Sequence, residues 1–239
     1  LLSLMYTATK GQESVKNLVT IASPINMHQM HSAIGNIYQS LSVPAQFFNR
    51  LTGYKLNDFD SKLFHVSGKL LSFGFQMTQP TAMLSSYIDL VKTMNDERYV
   101  SRYTTINEWF TRMPDYPGAT MREMIDKFGL ANRFNHGHFY IGGRLIDLKT
   151  IDSALLALAG ENDALTSITA ASAIMSVVGS LDKTFAVVPG GHAGLFTGSQ
   201  AVKTTWVIIL DWLKLRSGEP VDNCQISDQN DLNTNKKVD

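Results

Sequence analysis

The stretch ALLALAGENDALTS, residues 154–167, decides the fold class of this chain. Its first half, Ala154 to Gly160, is a continuous apolar run, which is typical of a strand buried on both faces of a parallel sheet. A polar loop with Asp163 follows, and a helix is predicted from Thr166 or Ser167 to about Val178. Strand, loop and helix in this order indicate an α/β fold with parallel crossovers.

Two similar strands flank this stretch. NLVTIAS, at 17–23, is an apolar run that ends at Pro24, and TFAVV, at 184–188, is a third. A helix from about Gln200 to Arg216 follows the third strand, and its apolar face is predicted to be buried. That face comprises Val202, Trp206, Ile209, Leu210 and Leu213.

Between the first two strands the pattern changes, because residues 27–135 show helical periodicity without strand and helix alternation. One helix is predicted at 81–94. Its apolar face comprises Met83, Leu84, Tyr87, Ile88 and Val91. We therefore predict a core segment at 1–26, a helical cap insertion at 27–135, a second core segment at 136–217 and a disordered polar tail at 218–239.

Composition excludes several classes of protein. Lys and Arg number 21, as do Asp and Glu, so the overall charge indicates neither a nucleic-acid nor an anionic-membrane partner. No apolar run reaches the roughly 18 residues of a membrane span. The single cysteine, Cys224, excludes an internal disulfide and, without Cys/His ligand spacing nearby, disfavours a thiolate metal site. A reducing, cytoplasmic setting is the simplest interpretation.

The chain begins LLSLMYTATK, which has the pattern of a helix already under way, without an N-cap residue or a signal peptide. We expect that sequence upstream of Leu1 is missing.

Two loops carry the candidate chemistry. GENDALTS, 160–167, places Asp163 after one strand, and VVPGGHAGLF, 187–196, places His192 after the next. Loops at the carboxyl ends of parallel strands are where function gathers in such sheets. A carboxylate that accepts the proton on imidazole Nδ1 fixes the tautomer and leaves Nε2 as a base.

Each residue alone has a simpler interpretation, since an Asp before a helix is usually a cap and a loop His is usually solvated. Together they follow the order Asp then His of an α/β-hydrolase triad after its nucleophile. Ser3 lacks flanking glycines and Cys224 lies on the wrong side of His192. The nucleophile elbow is therefore expected immediately before Leu1.

The motifs resemble those of polyhydroxyalkanoate synthases, in particular the class III catalytic subunit. The resemblance covers Ser3 to about Arg216 in compatible order. The matching segments are SLMYTA, VKNLVTIASPIN, INEWFTRMPDYPGATMREMI, GHFYIGGRLIDL, GENDALTS and PGGHAGLF. The resemblance implies an α/β-hydrolase fold and a cysteine acyltransferase that takes (R)-3-hydroxyacyl-CoA and a growing polyester chain.

The same resemblance implies roles for individual residues. His192 would deprotonate the upstream cysteine, because the thiolate is the nucleophile. Asp163 would orient His192 or help to activate the incoming 3-hydroxyl. Trp109 would form an apolar wall of the acyl channel, although a Trp in a helix is equally often a core residue. The implied partners are a second synthase subunit or a homodimer, and the implied location is the cytoplasm or a polyester granule surface.

Three positions depart from the family pattern. Ala164 stands where the family tends to have His, Ser167 where it tends to have Pro, and Asn26 where its Pro-x-Asp turn has Asp. These departures leave the roles of Asp and His intact but weaken the case for efficient polymerisation.

Two alternative functions stay open. An ester or thioester hydrolase would carry serine in the elbow, and a non-catalytic binding module would have lost the elbow.

His136 and His138 lie two apart on an extended segment, where they would share one face. With no third ligand adjacent, we predict no metal, and the expected reaction needs no cofactor because the CoA thioester is a substrate.

Overall fold

The computed structural model describes residues 1–11, 13–31, 33–78, 80–198 and 200–217. Its strands are β1 (Asn17–Ile21), β2 (His138–Ile141), β3 (Arg144–Asp147), β4 (Ala154–Gly160) and β5 (Lys183–Val188). Its α-helices are α1 (Leu2–Tyr6), α2 (Ala33–Thr52), α3 (Gly68–Thr78), α4 (Pro80–Lys92), α5 (Glu97–Thr111), α6 (Gly118–Glu123), α7 (Arg133–His136), α8 (Ile168–Ser172), α9 (Ile174–Val177), α10 (Gly194–Thr197) and α11 (Thr205–Ser217). The predicted tail at 218–239, with Cys224, lies outside the described residues.

The three predicted strands form a parallel sheet in the order β1-β4-β5. Asn17 is opposite Ala154, and Leu155 is opposite Lys183. Since parallel strands meet at one edge with their carboxyl ends, the segments after β4 and β5 emerge side by side. The α/β fold predicted from the apolar runs is confirmed.

The central strand β4 is apolar throughout because both of its faces are buried. Leu155 and Ala157 pack into a core with α1, α9 and the segment around Phe134, whereas Leu156 and Leu158 pack against Ile209 and Trp212 of α11. Alternate side chains are therefore buried on opposite faces of the sheet, and no position can be polar without a partner. A continuous apolar run is the consequence.

The segment between β1 and β4 is largely helical. Helices α2 to α7 occupy it, followed by the antiparallel hairpin of β2 and β3. Phe128, Phe134 and Phe139 form an aromatic cluster where the segment returns to the core, with ring centroids 4.6 to 5.6 Å apart. The domain boundaries predicted at 27–135 and 136–217 stay predictions.

The predicted apolar face of the helix at 81–94 lies on α4, but it is not buried. Leu84 is 63% exposed and Val91 64% exposed, and Tyr87 and Ile88 are exposed as well. The side chain of Met83 lies outside the described residues. Helical periodicity identified the helix correctly without showing what covers its apolar side.

The face predicted for the last helix is partly wrong. The helix begins at Thr205 rather than Gln200, with a short 3-10 turn at Ala201–Lys203 before it. Ile209 is buried as predicted, but Val202 and Leu210 are exposed and Trp212 is the buried aromatic residue. The helix is apolar on several sides, so the sequence pattern could not select one face.

Among the described residues, no helix combines the length and the apolar character that crossing a bilayer requires.

Candidate active site

Asp163 lies in the loop that follows β4, and its carboxylate is buried. One oxygen, Oδ1, accepts hydrogen bonds from the backbone N–H groups of Leu165 at 2.8 Å and Thr166 at 2.9 Å. The side chain has no exposed surface. An aspartate that accepts N–H groups two and three residues later forms a tight local turn. This turn holds the carboxylate still and leaves Oδ2 for another donor.

His192 lies in the loop that follows β5 and reaches that second oxygen. Its Nδ1 lies 2.8 Å from Oδ2 of Asp163, while 35% of the imidazole side chain remains exposed. Because the carboxylate can only accept, Nδ1 carries the proton and Nε2 is the basic nitrogen of the neutral ring. The predicted meeting of the two side chains is observed, and we call this pair the dyad.

Backbone contacts join the two loops. The N–H of Glu161 donates to the carbonyl of Val188 at 2.9 Å, and the N–H of Asn162 donates to the carbonyl of Gly190 at 3.2 Å. A Cβ on Gly160 would lie 2.7 Å from the same Gly190 carbonyl oxygen. Gly190 has a φ of +129°, a conformation that side-chain-bearing residues rarely adopt. Glycine at both positions therefore brings the loops close enough for the dyad to form.

The dyad sets the charge state of its aspartate. Burial by itself would raise the pKa of Asp163, but the hydrogen bond with His192 and those from the backbone of Thr166 and Leu165 outweigh it, so the pKa lies below its ordinary value. Asp163 is therefore a carboxylate at neutral pH. It can orient the imidazole and stabilise its protonated form.

Two of the departures from the family pattern have structural roles here. Ser167 is the N-cap of α8: its hydroxyl accepts from the N–H of Ala170 at 2.9 Å and donates to the carbonyl of Gln29 at 2.5 Å. Asn26 caps the 3-10 turn at Met27–Gln29 by accepting from the N–H of His28. A proline at 167 could not make the hydroxyl contacts. Sequence analysis flagged both positions without predicting their partners.

Trp109 lies on α5 and is 67% exposed, so it is not a core residue in the described chain. Its ring packs edge-on against Phe110 at 5.0 Å. Its role as an acyl-channel wall stays a prediction. His138 Nδ1 lies 3.1 Å from the backbone carbonyl of His136, and the described ranges contain no group of three or more metal-ligating side chains.

A cleft of about 1200 Å³ lies apart from the dyad, between α2, the segment at 54–59 and strand β2. Its walls include Leu41, Phe48, Tyr54, Leu130 and Phe139, and neither dyad residue lines it. The cleft is also lined by charged and imidazole side chains, among them Asp126, Arg133 and His136. We give the dyad greater weight as the candidate active site because its carboxylate and imidazole are hydrogen-bonded to each other in the order of a catalytic triad.

Parallel strands that bring an aspartate and then a histidine to one sheet edge match the part of the α/β-hydrolase fold that follows the nucleophile, and the predicted fold class is confirmed. Two curated relatives share 26% identity with this chain, the poly(3-hydroxyalkanoate) polymerase subunits PhaC of Allochromatium vinosum, over 215 residues, and of Thiocystis violacea, over 216 residues. Each alignment covers 90% of this chain and 57% of the relative, so the chain spans little more than half of their length. The resemblance carried by the motifs is thereby confirmed.

No family model matches the chain. Similar solved structures include the monoglyceride lipase of Saccharomyces cerevisiae, at 11% identity and a TM-score of 0.44, and the monoacylglycerol lipase of Paleococcus ferrophilus, at 14% and 0.43. The first comparison covers 90% of this chain and 58% of that structure, and the second 88% and 63%.

Proposed function

We propose that this chain is a catalytic part of a polyhydroxyalkanoate synthase that transfers 3-hydroxyacyl groups from CoA to a growing polyester. The observation that carries the proposal is the 2.8 Å contact between His192 and Asp163, in a chain whose curated relatives are polyhydroxyalkanoate polymerase subunits. The nucleophile in this proposal is a cysteine on an elbow that precedes Leu1. The 239 residues alone are then expected to be inactive.

In the first half-reaction, Nε2 of His192 accepts the proton of the cysteine thiol. The thiolate attacks the thioester carbonyl of the (R)-3-hydroxyacyl-CoA, the bond from that carbonyl to the CoA sulfur breaks, and CoA leaves as a thiol after taking the proton from the imidazolium. The acyl group is now a thioester of the enzyme. Asp163 keeps the imidazole in the reactive tautomer through both proton transfers.

In the second half-reaction, the 3-hydroxyl of another monomer or chain loses its proton to the dyad and attacks the enzyme thioester. A new ester bond forms, the bond to the cysteine sulfur breaks, and the thiol regains the proton. The polyester grows by one unit. No group is oxidised or reduced, and the thioester substrate is already activated for acyl transfer, so the proposal includes neither metal nor cofactor.

The same dyad would also serve a hydrolase, in which water attacks the acyl-enzyme and releases a free hydroxy acid. The similarity to polymerase subunits favours a hydroxyl acceptor over water. The relatives are named as subunits, and the exposed apolar side chains of α4, such as Leu84 and Val91, suit a partner. We therefore include a second subunit or a homodimer, and a granule surface in the cytoplasm, in the proposal.

The test uses the protein that contains this chain together with its upstream sequence, and (R)-3-hydroxybutyryl-CoA as substrate. CoA release and polymer mass are followed together. His192→Ala should reduce CoA release by about 10²- to 10⁴-fold, the usual contribution of a general base. Asp163→Asn favours the wrong imidazole tautomer. It should slow chain growth while sparing some acylation, because a cysteine thiol ionises more readily than a 3-hydroxyl and depends less on the oriented base.

The products separate the alternatives. Equal amounts of CoA and free 3-hydroxybutyrate, without polymer, would replace the synthase by a hydrolase. Absence of CoA release from the unsubstituted protein would favour a binding module. Normal turnover in the His192→Ala variant would refute the role of the dyad itself.

A further inference from the structure

Two asparagines that flank helices α2 to α6 contact each other. Asn132 donates from Nδ2 to Oδ1 of Asn26 at 2.8 Å, and its own Oδ1 accepts from the backbone N–H of Met27 at 2.9 Å. The two positions are 106 residues apart in sequence. We call these two side chains the amide pair. It joins the two ends of the segment that contains helices α2 to α6.

The backbone of Asn132 has an uncommon, left-handed conformation. Its φ is +46°, in the left-handed region, and only 6% of the residue is exposed. Asparagine adopts this region more readily than most residues with a side chain. Glycine would fit the backbone at least as easily but would lack the carboxamide. Replacing Asn132 with glycine therefore removes the side-chain contacts while keeping the backbone conformation.

The turn beside the amide pair is bonded to the helix that follows the Asp163 loop. The N–H groups of Ile25 and Asn26 both donate to the carbonyl of Ala170, at 2.9 and 3.1 Å. At the other end of the turn, the carbonyl of Gln29 accepts from the hydroxyl of Ser167. Three hydrogen bonds thus fix the turn at 25–29 to the first turn of α8.

The Asp163 loop ends where α8 begins. Thr166, whose N–H bonds to Asp163, is adjacent to Ser167, whose hydroxyl bonds to Gln29. A continuous path of short contacts therefore runs from Asn132 through the turn at 25–29 and Ser167 to the carboxylate of the dyad. The side-chain contacts in this path are at least partly buried, although Gln29 itself is an exposed residue.

We propose that the amide pair is a positioning device for the dyad: it couples the base of the helical insertion to the loop that holds Asp163. The coupling concerns geometry and applies whichever group accepts the acyl chain. Aspartate, which the family resemblance places at position 26, preserves the essential feature, because its carboxylate also accepts from Asn132 and from the N–H of His28. The donor, Asn132, is the member whose loss breaks the path.

The test measures amide hydrogen exchange by NMR in the protein that contains this chain together with its upstream sequence, and it needs no turnover. Asn132→Gly removes the carboxamide without straining the backbone. Exchange of the Met27 amide should rise, and exchange of the Leu165 and Thr166 amides, which donate to Asp163, should rise by roughly 10-fold, the effect of losing about two buried hydrogen bonds. Amides of the β4–β5 ladder should exchange at their original rates.

Two further variants make the result specific. Asn26→Asp should keep the original exchange of Leu165 and Thr166. Asn132→Asp retains the acceptor for Met27 and loses only the donor to Asn26, so it should give a smaller increase; it also provides the test if the glycine variant does not fold. Ser167→Ala combined with Asn132→Gly should show non-additive effects on the Thr166 amide, as expected for two contacts on one path.

Faster exchange at Met27 with unchanged exchange at Leu165 and Thr166 would overturn the proposal, since the amide pair would then be only a local contact. Fully additive effects of Ser167→Ala and Asn132→Gly would do the same. Loss of dyad chemistry in a turnover assay has no bearing on these exchange rates, so this proposal and the proposed function can fail separately.

Discussion

In the parallel sheet, apolar residues are mostly buried, whereas in the largely helical segment between β1 and β4 many of them are exposed. In β4, six of the seven residues are buried and Leu156 has no exposed surface. In α4, apolar residues recur with helical spacing, yet Leu84, Tyr87, Ile88 and Val91 are all exposed. Both segments have a clear apolar pattern, and only one has neighbours that cover it.

This contrast shows what a pattern of apolar residues can decide. It specifies the local structure, because strand and helix have different periods. It does not specify the partner that removes the apolar surface from water, which depends on the rest of the fold or on another molecule. Asp163 and His192 follow strands of the buried sheet, where backbone hydrogen bonds join the two loops.

The largest expected effect compares one leucine from each region. Leu156→Ala should lower the free energy of unfolding by about 2–5 kcal/mol, because it leaves a cavity between the sheet and α11. Leu84→Ala should change it by less than about 0.5 kcal/mol, since the side chain is already in contact with water. Chemical denaturation of the two variants measures both values. Equal losses would show that α4 is covered in solution.

Replacing Gly160 and Gly74 with alanine should change the free energy of unfolding in opposite directions. In Gly160→Ala, the new Cβ would approach the Gly190 carbonyl oxygen to 2.7 Å, so the two loops must separate at a cost of about 1–3 kcal/mol. In Gly74→Ala, on α3, the Cβ meets nothing within 4 Å, and helix propensity should stabilise the chain by about 0.5–1 kcal/mol. Thermal unfolding of both variants measures the difference. Stabilisation by Gly160→Ala would contradict the close approach of the loops.

The sequence was sufficient to predict the sheet and the dyad for a physical reason. Apolar runs marked β1, β4 and β5, and parallel strands bring their carboxyl-terminal loops to one edge, so Asp163 and His192 had to be neighbours. Trp212 was missed because α11 is apolar on several sides. Asn132 was missed because its left-handed backbone and its contact with Asn26 arise only when residues 106 apart in sequence meet.

The stability contributed by Asp163 should depend on pH. Its pKa in the folded chain lies below the ordinary 3.8, so the stabilisation is present above about pH 4 and is lost as pH falls through the folded-state value. Above pH 4, Asp163→Asn should be less stable by about 1–3 kcal/mol. The gap should narrow in more acidic solution. Unfolding free energies of both proteins as a function of pH test this, and a constant gap would count against an ionised Asp163.

The smallest expected change in the free energy of unfolding concerns the partly exposed ion pair of Arg216 and Asp182. Arg216 donates from Nε and Nη2 to both carboxylate oxygens of Asp182, at 2.8 and 2.6 Å, and lies over the ring of Trp212. The carboxylate is half exposed, so Asp182→Asn should cost no more than about 1 kcal/mol. Added salt should reduce that difference. A loss as large as that of Leu156→Ala would show that this ion pair belongs to the buried core.

The central claim is that a buried carboxylate holds His192 with its proton on Nδ1. Nitrogen-15 NMR of the histidine ring in the intact chain tests this claim most directly, because the two tautomers have different ring-nitrogen shifts. We expect the neutral ring of His192 to carry its proton on Nδ1, and Asp163→Asn to move it to Nε2. A neutral His192 protonated on Nε2 in the unsubstituted chain, or a tautomer that does not respond to Asp163→Asn, would contradict the account.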